Sequence, residues 1–270
     1  MVGRVMPIIV SPFSRWELIR SLVKRDLLSR YTGSFLGFFW AFIQPVAMVI
    51  IYYFVCSLVF RLSLKGSSYN FFEFLVCGLL PWLAFSESVS RSCNAIVEQG
   101  YMVKKVFFPS EILVPVVVLS SMTHLMVGCG VFVVYVFLAK LHVLKTYWWH
   151  LLLLPLPFAL QLMFSVGLGW FVAAINVFWR DVGHVLSLAI TVWFYTTPIV
   201  YPYDLVPEVF KVPTNLNPLF CLIESYRWVL LGDGRFGVEH GLYLFVVSLA
   251  FYVFGGFIFG KLKEDFASVL

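Results

Sequence analysis

The chain has 270 residues, 61% of them hydrophobic and 12% charged, with a formal net charge of +5. A water-soluble domain is nearer half apolar and a quarter charged, so this balance, at a mean hydropathy of +0.92, belongs to a protein dissolved in lipid. It excludes a disordered chain, a coiled coil and a nucleic-acid module. Continuous apolar runs argue against a β-barrel, whose segments alternate in polarity, and at about 20 residues per crossing a single polytopic helical domain is expected.

Residues 1–13 hold Arg4 and an apolar patch from Pro7 to Val10, too brief for a signal-peptide core, so the N-terminus is expected to stay on the chain. Ser14-Arg15-Trp16-Glu17 then fits a capping box, in which hydroxyl and carboxylate satisfy free backbone N–H groups at a helix start. Behind it Trp16, Ile19, Leu22, Val23, Leu27 and Tyr31 recur at spacings of three and four, with Arg15, Arg20, Lys24, Arg25 and Arg30 on the other side. The pattern predicts a basic amphipathic helix, which lies on a membrane surface or docks on a partner; a plain topological anchor is the simpler alternative.

Apolar spans are predicted at 36–60, 71–92, 112–139, 150–177, 183–201 and 241–260. Six crossings put both termini on one side, and 12 of the 19 lysines and arginines fall there, so the positive-inside rule makes it cytoplasmic. The expected organisation is a cytoplasmic N-terminal segment, 1–35, and a six-helix transmembrane domain, 36–270. The loop from Asn94 to Pro109 should contain a short helix-like piece, with Tyr101, Met102, Val103, Val106 and Phe107 beside Lys104 and Lys105, suited to insertion into another protein; an interfacial loop is the bland alternative. Residues 202–240 carry four prolines and then an apolar patch from Leu219 to Leu231 broken by Glu224 and Arg227. That is too long for a turn and too polar to span, so short helices dipping in from the outer face are expected.

Catalytic motifs are missing from this sequence. Gly255 to Lys261 mimics a phosphate loop but continues with Leu262 where Ser or Thr must bind magnesium; Gly256 and Gly260 instead suit close helix packing, and Gly33 with Gly37 form a similar pair. The five cysteines and five histidines show no ligand spacing, so no metal is expected and the cysteines read as small packing residues. Glu73 and Glu87 lie near opposite ends of the second span, where Arg91 can pair with Glu87 across a turn; the spans otherwise hold few of the ionisable groups that ion coupling needs. Vectorial work must then draw on a nucleotide-hydrolysing partner. Phe38, Phe39, Trp40, Phe42, Tyr52, Tyr53 and Phe54 cluster at the ends of the first span, and Trp193, Phe194, Tyr195, Tyr201 and Tyr203 line the fifth and its exit. Interfacial belts account for many of them; the sharper reading is a conduit whose ring faces contact sugars.

Trp16-Glu17-Leu18-Ile19, Arg25-Asp26-Leu27 and the run from Arg30 through Gly37 to Trp40 resemble the opening of the membrane subunit of bacterial ABC polysaccharide exporters. The resemblance continues in Lys105-Val106-Phe107-Phe108-Pro109, Phe178-Trp179-Arg180-Asp181-Val182, Thr197-Pro198-Ile199-Val200-Tyr201-Pro202, Asn217-Pro218 and Tyr226-Arg227. The set looks closer to the O-antigen type than to the capsule type. It implies a half-transporter that pairs with a second copy and with two ATPase subunits, moving a lipid-linked polysaccharide across the bacterial inner membrane. ATP and magnesium would sit in the partner and no cofactor in this chain. It further implies that Trp16, Arg20, Arg25, Asp26 and Arg30, with Val103, Lys104, Lys105, Val106, Phe107 and Pro109, couple to the ATPase, and that Pro198, Pro202, Asn217, Pro218, Tyr226 and Arg227 belong to an outer gate. Alternatives are a related exporter of another amphipathic substrate, an ion-coupled carrier and a lipid-modifying enzyme.

Overall fold

The computed structural model describes residues 15–62, 64, 69–103, 108–139, 149–232 and 236–270, and the regular elements in that set are helices. In chain order they are α1 (Trp16–Tyr31), α2 (Trp40–Tyr53), α3 (Phe71–Glu98), α4 (Leu113–Ala139), α5 (Pro155–Phe178), α6 (Val182–Thr196), α7 (Glu208–Asn215), α8 (Pro218–Leu231) and α9 (Val238–Leu262), joined by shorter turns of helix. Four helical stretches, Phe71–Glu98, Ser110–Ala139, Trp149–Phe178 and Val238–Asp265, are long and apolar enough to cross a membrane. Two further apolar helices, Ile43–Val59 and Val182–Thr196, are shorter.

The shortness has local causes. The expected fifth span, 183–201, ends early at Thr196, because Thr197 precedes Pro198 and is driven to extended backbone, ψ 130. Its 15 residues rise about 22 Å against a hydrocarbon layer of roughly 30 Å. The expected first span, 36–60, opens with a 3-10 turn at Gly37–Phe39, carries Pro45 inside α2 and widens into a π-helical stretch at Phe54–Val59. The second runs six residues past its expected end, so Asn94, expected in a loop, stands on α3 and accepts a hydrogen bond from Asn176 Nδ2 at 3.1 Å.

The N-cap of α1 is Arg15, with no side-chain cap bond of its own; Ser14, on which the expected Ser14–Glu17 box rests, lies outside the described residues. A reciprocal arrangement of that kind stands at α3, where the Asn70 N–H donates to the Glu73 carboxylate at 3.0 Å. A close helix crossing falls at Gly255: a Cβ there would lie 1.9 Å from the Gly167 carbonyl oxygen, so the backbones of α9 and α5 touch, and the neighbouring Gly256 is buried as well. Gly33 and Gly37 are turn residues with φ of 84 and 50, conformations that cost other residues a Cβ clash, and neither packs on a neighbour.

The bundle is organised around α3, which contacts α2, α4, α5, α6 and α8. It is the least apolar of the four long stretches, mean hydropathy 1.4, yet its span is 78% buried; Val238–Asp265 has hydropathy 2.2 and is 28% buried. In lipid the driving force for burying apolar surface is absent, so the greasiest helix faces outward and the more polar one collects contacts within the protein. The cysteines take buried positions in this core, Cys77 on α3 and Cys221 on α8 among them. At the end where α1 lies, Ile19 and Leu22 are buried against Ile112 and Val116, while Trp16, Leu18 and Leu28 remain exposed, so the apolar residues of α1 are not confined to one face. Buried Glu111 fastens the chain ends there, bonding Lys263 Nζ at 2.5 Å and facing Arg15 at 3.8 Å.

Candidate functional site

Three residues expected at the outer gate converge with one aromatic. Asn217 N-caps α8, its Oδ1 accepting from the Leu219 N–H at 3.0 Å and from the Trp193 indole N–H at 2.9 Å, while its Nδ2 donates to Thr197 Oγ1 at 2.8 Å. Pro218 follows at the first helical position, where its missing N–H costs nothing. Further along the same helix, Arg227 is 2% exposed. Its guanidinium donates to the Pro198 carbonyl at 3.1 Å, to the Ile199 carbonyl at 2.8 Å and to Glu224 Oε1 at 2.8 Å, and it sits 3.6 Å over the Phe74 ring. The turn after α6 is thus tied to α8 and to α3 by one side chain. Gly78 makes room for it: a Cβ there would stand 2.9 Å from Arg227 Nη2. Tyr226 is fully buried in the core beside this joint, and Tyr201 donates its hydroxyl to the Tyr195 carbonyl at 2.9 Å. Burial raises the Tyr201 phenol above its usual pKa of 10.0, so it remains a donor at neutral pH.

At the opposite end, Asp26 and Arg30 turn inward from α1. Arg91 Nη2 donates to Asp26 Oδ1 and Oδ2 at 2.8 and 3.0 Å, Arg30 Nε bonds Asp26 at 3.2 Å, and Arg30 Nη1 pairs with Glu87. His124 Nδ1 on α4 lies 3.5 Å from Glu87 Oε2 and 3.4 Å from Arg30 Nη1. The expected Glu87–Arg91 pair exists at 3.9 Å, longer than either residue's bond to α1. His124 was not singled out by the sequence, since one histidine in an apolar run carries no spacing signal. With Glu87 and Arg30 it gives the bundle an ionisable cluster where the spans read as nearly bare.

The remaining coupling candidates separate. Trp16, Arg20 and Arg25 are exposed and Pro109 is buried; Lys104, Lys105, Val106 and Phe107, with the side chain of Val103, lie outside the described residues. The aromatics separate as well. Phe39, Trp40 and Tyr195 are exposed, whereas Tyr52 packs on Phe194, Tyr53 on Phe72 and Trp193 on Phe85. The side chains of Phe38 and Phe42 lie outside the described ones. Trp193 and Tyr201 line a cavity of about 720 Å³ between α6, α7 and Asn217, and Pro202 caps the 3-10 turn at Tyr203–Leu205. Trp40 lines a second cavity of about 530 Å³ with Arg30, Gln44, Glu87, His124 and Thr191.

A helical bundle with four stretches long and apolar enough to cross a membrane defines a multi-pass membrane protein. The family model for the ABC-2 type transporter matches residues 17–231, and the chain belongs to that family, which makes it a transport protein rather than an enzyme. It is 33% identical over 254 residues, 93% of its length and 94% of the relative's, to the O-antigen export system permease protein RfbA of Myxococcus xanthus. To a protein of that name from Klebsiella pneumoniae it is 31% identical over 94% of this chain and 95% of the relative. The polysialic acid transport protein KpsM of Escherichia coli is 22% identical over 77% of this chain and 79% of its own.

Proposed function

We propose that this chain is the transmembrane subunit of an ATP-driven exporter that moves a lipid-linked polysaccharide of the O-antigen kind across the bacterial inner membrane. The observation that carries the reading is similarity over more than nine-tenths of both chains to relatives named as O-antigen export permeases. In this reading the two short apolar helices also cross, giving six spans with both termini in the cytoplasm, and α7 and α8 re-enter from the outer side. A second copy completes the channel. Two ATPase subunits, which hold the ATP and magnesium, dock on the basic face of α1 through Trp16, Arg20 and Arg25 and on the loop from Val103 to Pro109. Exposed Phe39, Trp40 and Tyr195 face the glycan.

The test is reconstitution with and without a coexpressed ATPase subunit, following glycan movement into sealed vesicles. ATP-dependent transport only in the complex is expected; transport by the chain alone overturns the reading. The Arg30–Glu87–His124 cluster favours one rival, an ion-coupled carrier, whose transport would be abolished by collapsing the ion gradient and would not require ATP.

A further inference from the structure

The space under α2 has two compartments. The 530 Å³ cavity has a polar wall of Arg30, Gln44, Glu87, His124, Ser187 and Thr191 and one exposed ring, Trp40. A second cavity of about 470 Å³ is apolar, walled by Val46 and Ile50 of α2, Phe72 and Val76 of α3, and Val127 and Val131 of α4. Pro45, Leu80 and His124 line both, so the two meet beneath the proline of α2.

The order of residues is the same on three helices. Along α2 the lining passes from Gln44 through Pro45 to Ile50, along α4 from His124 to Tyr135, and along α3, running the other way, from Glu87 through Leu80 to Phe72. From His124 to Tyr135 is 11 residues, about 16 Å of groove at helical rise. Among the described side chains of α2, Val49 alone is buried, so this helix bridges the gap rather than filling it. A polar chamber that offers a guanidinium donor, carboxylate and amide acceptors, hydroxyls and a ring face, continued by a dry groove, matches one ligand class: a long hydrocarbon with a hydroxyl-rich head.

We propose that this joined cavity holds the lipid end of the exported molecule, the hydrocarbon chain between α2 and α4 and the first sugar beside Arg30, Glu87 and His124. The inference rests on the export function proposed above and places one part of its substrate. A bilayer phospholipid shares the hydrocarbon and lacks the sugar.

The experiment photolabels the reconstituted complex with a polyprenyl-linked disaccharide carrying a diazirine on its chain, and in parallel with a diazirine-bearing phosphatidylethanolamine. Labelling by the glycolipid of residues 46–50 or 127–135 is expected, with Val131→Trp or, from the opposite wall, Ile50→Trp lowering both labelling and glycan export about tenfold. Val134→Trp, on α4 outside the groove, leaves both unchanged and controls for insertion of a large ring. Phosphatidylethanolamine labelling that the unlabelled glycolipid does not compete away, or undiminished glycolipid labelling in both Trp variants, overturns the site. Should the parent complex move no glycan, the export function is what fails, and the labelling pattern still decides the site.

Discussion

The two polar joints use arginine in opposite ways. Arg227 is sealed, and one side chain serves a carboxylate, two backbone carbonyls and a ring. The joint at α1 is half-buried and shared, with two arginines and two carboxylates covering for one another around His124. A sealed charge is stable only with every partner in place, because removing one leaves another uncompensated; a shared cluster near water degrades one contact at a time. The Arg227 joint therefore reads as a fixed clasp and the α1 joint as one that can be remade.

Arg227→Ala breaks this contrast hardest: it removes the one guanidinium that the buried Glu224 carboxylate and the Pro198 and Ile199 carbonyls share, so a loss of about 3–5 kcal/mol is expected in detergent unfolding of the purified protein. Arg227→Met with Glu224→Gln, which strands no charge, should recover part of that loss. Gly78→Ala keeps every partner but pushes on the guanidinium, and about 1–3 kcal/mol is expected by the same measurement. At the α1 joint Arg91→Ala leaves Asp26 bonded to Arg30, so the expected cost is about 1 kcal/mol, shrinking as salt is raised. A loss as large as that of Arg227→Ala would erase the distinction. Smallest is Lys211→Ala, whose partner Glu208 stands in solvent; a change within about 0.5 kcal/mol is expected.

Much of this was legible in the sequence for a physical reason: membrane helices are written in long apolar runs, and four of the six expected spans match helices of spanning length within a few residues, α3 excepted. The Arg227 clasp was half legible. Asn217-Pro218 spells a helix start, and Arg227 was conspicuous as a charge in an apolar patch, yet its carbonyl partners at Pro198 and Ile199 lie 29 and 28 residues away and carry no chemical mark in their side chains. His124 escaped because its meaning lies in Arg30 and Glu87, on two other helices. That Gly255 meets Gly167 could not be read from α9 alone, since which face of α9 meets α5 is decided by the crossing rather than by spacing along one helix. That α3 is central could not be read from hydropathy, which ranks it last of the four.

The contact of Gly167 with Gly255 has a mechanical consequence. Where two backbones touch there is no room for a side chain between them, so Ala at either Gly167 or Gly255 would force α5 and α9 apart. α2 is the opposite case: it borders an open groove, with a proline within it and a π-helical stretch at its far end.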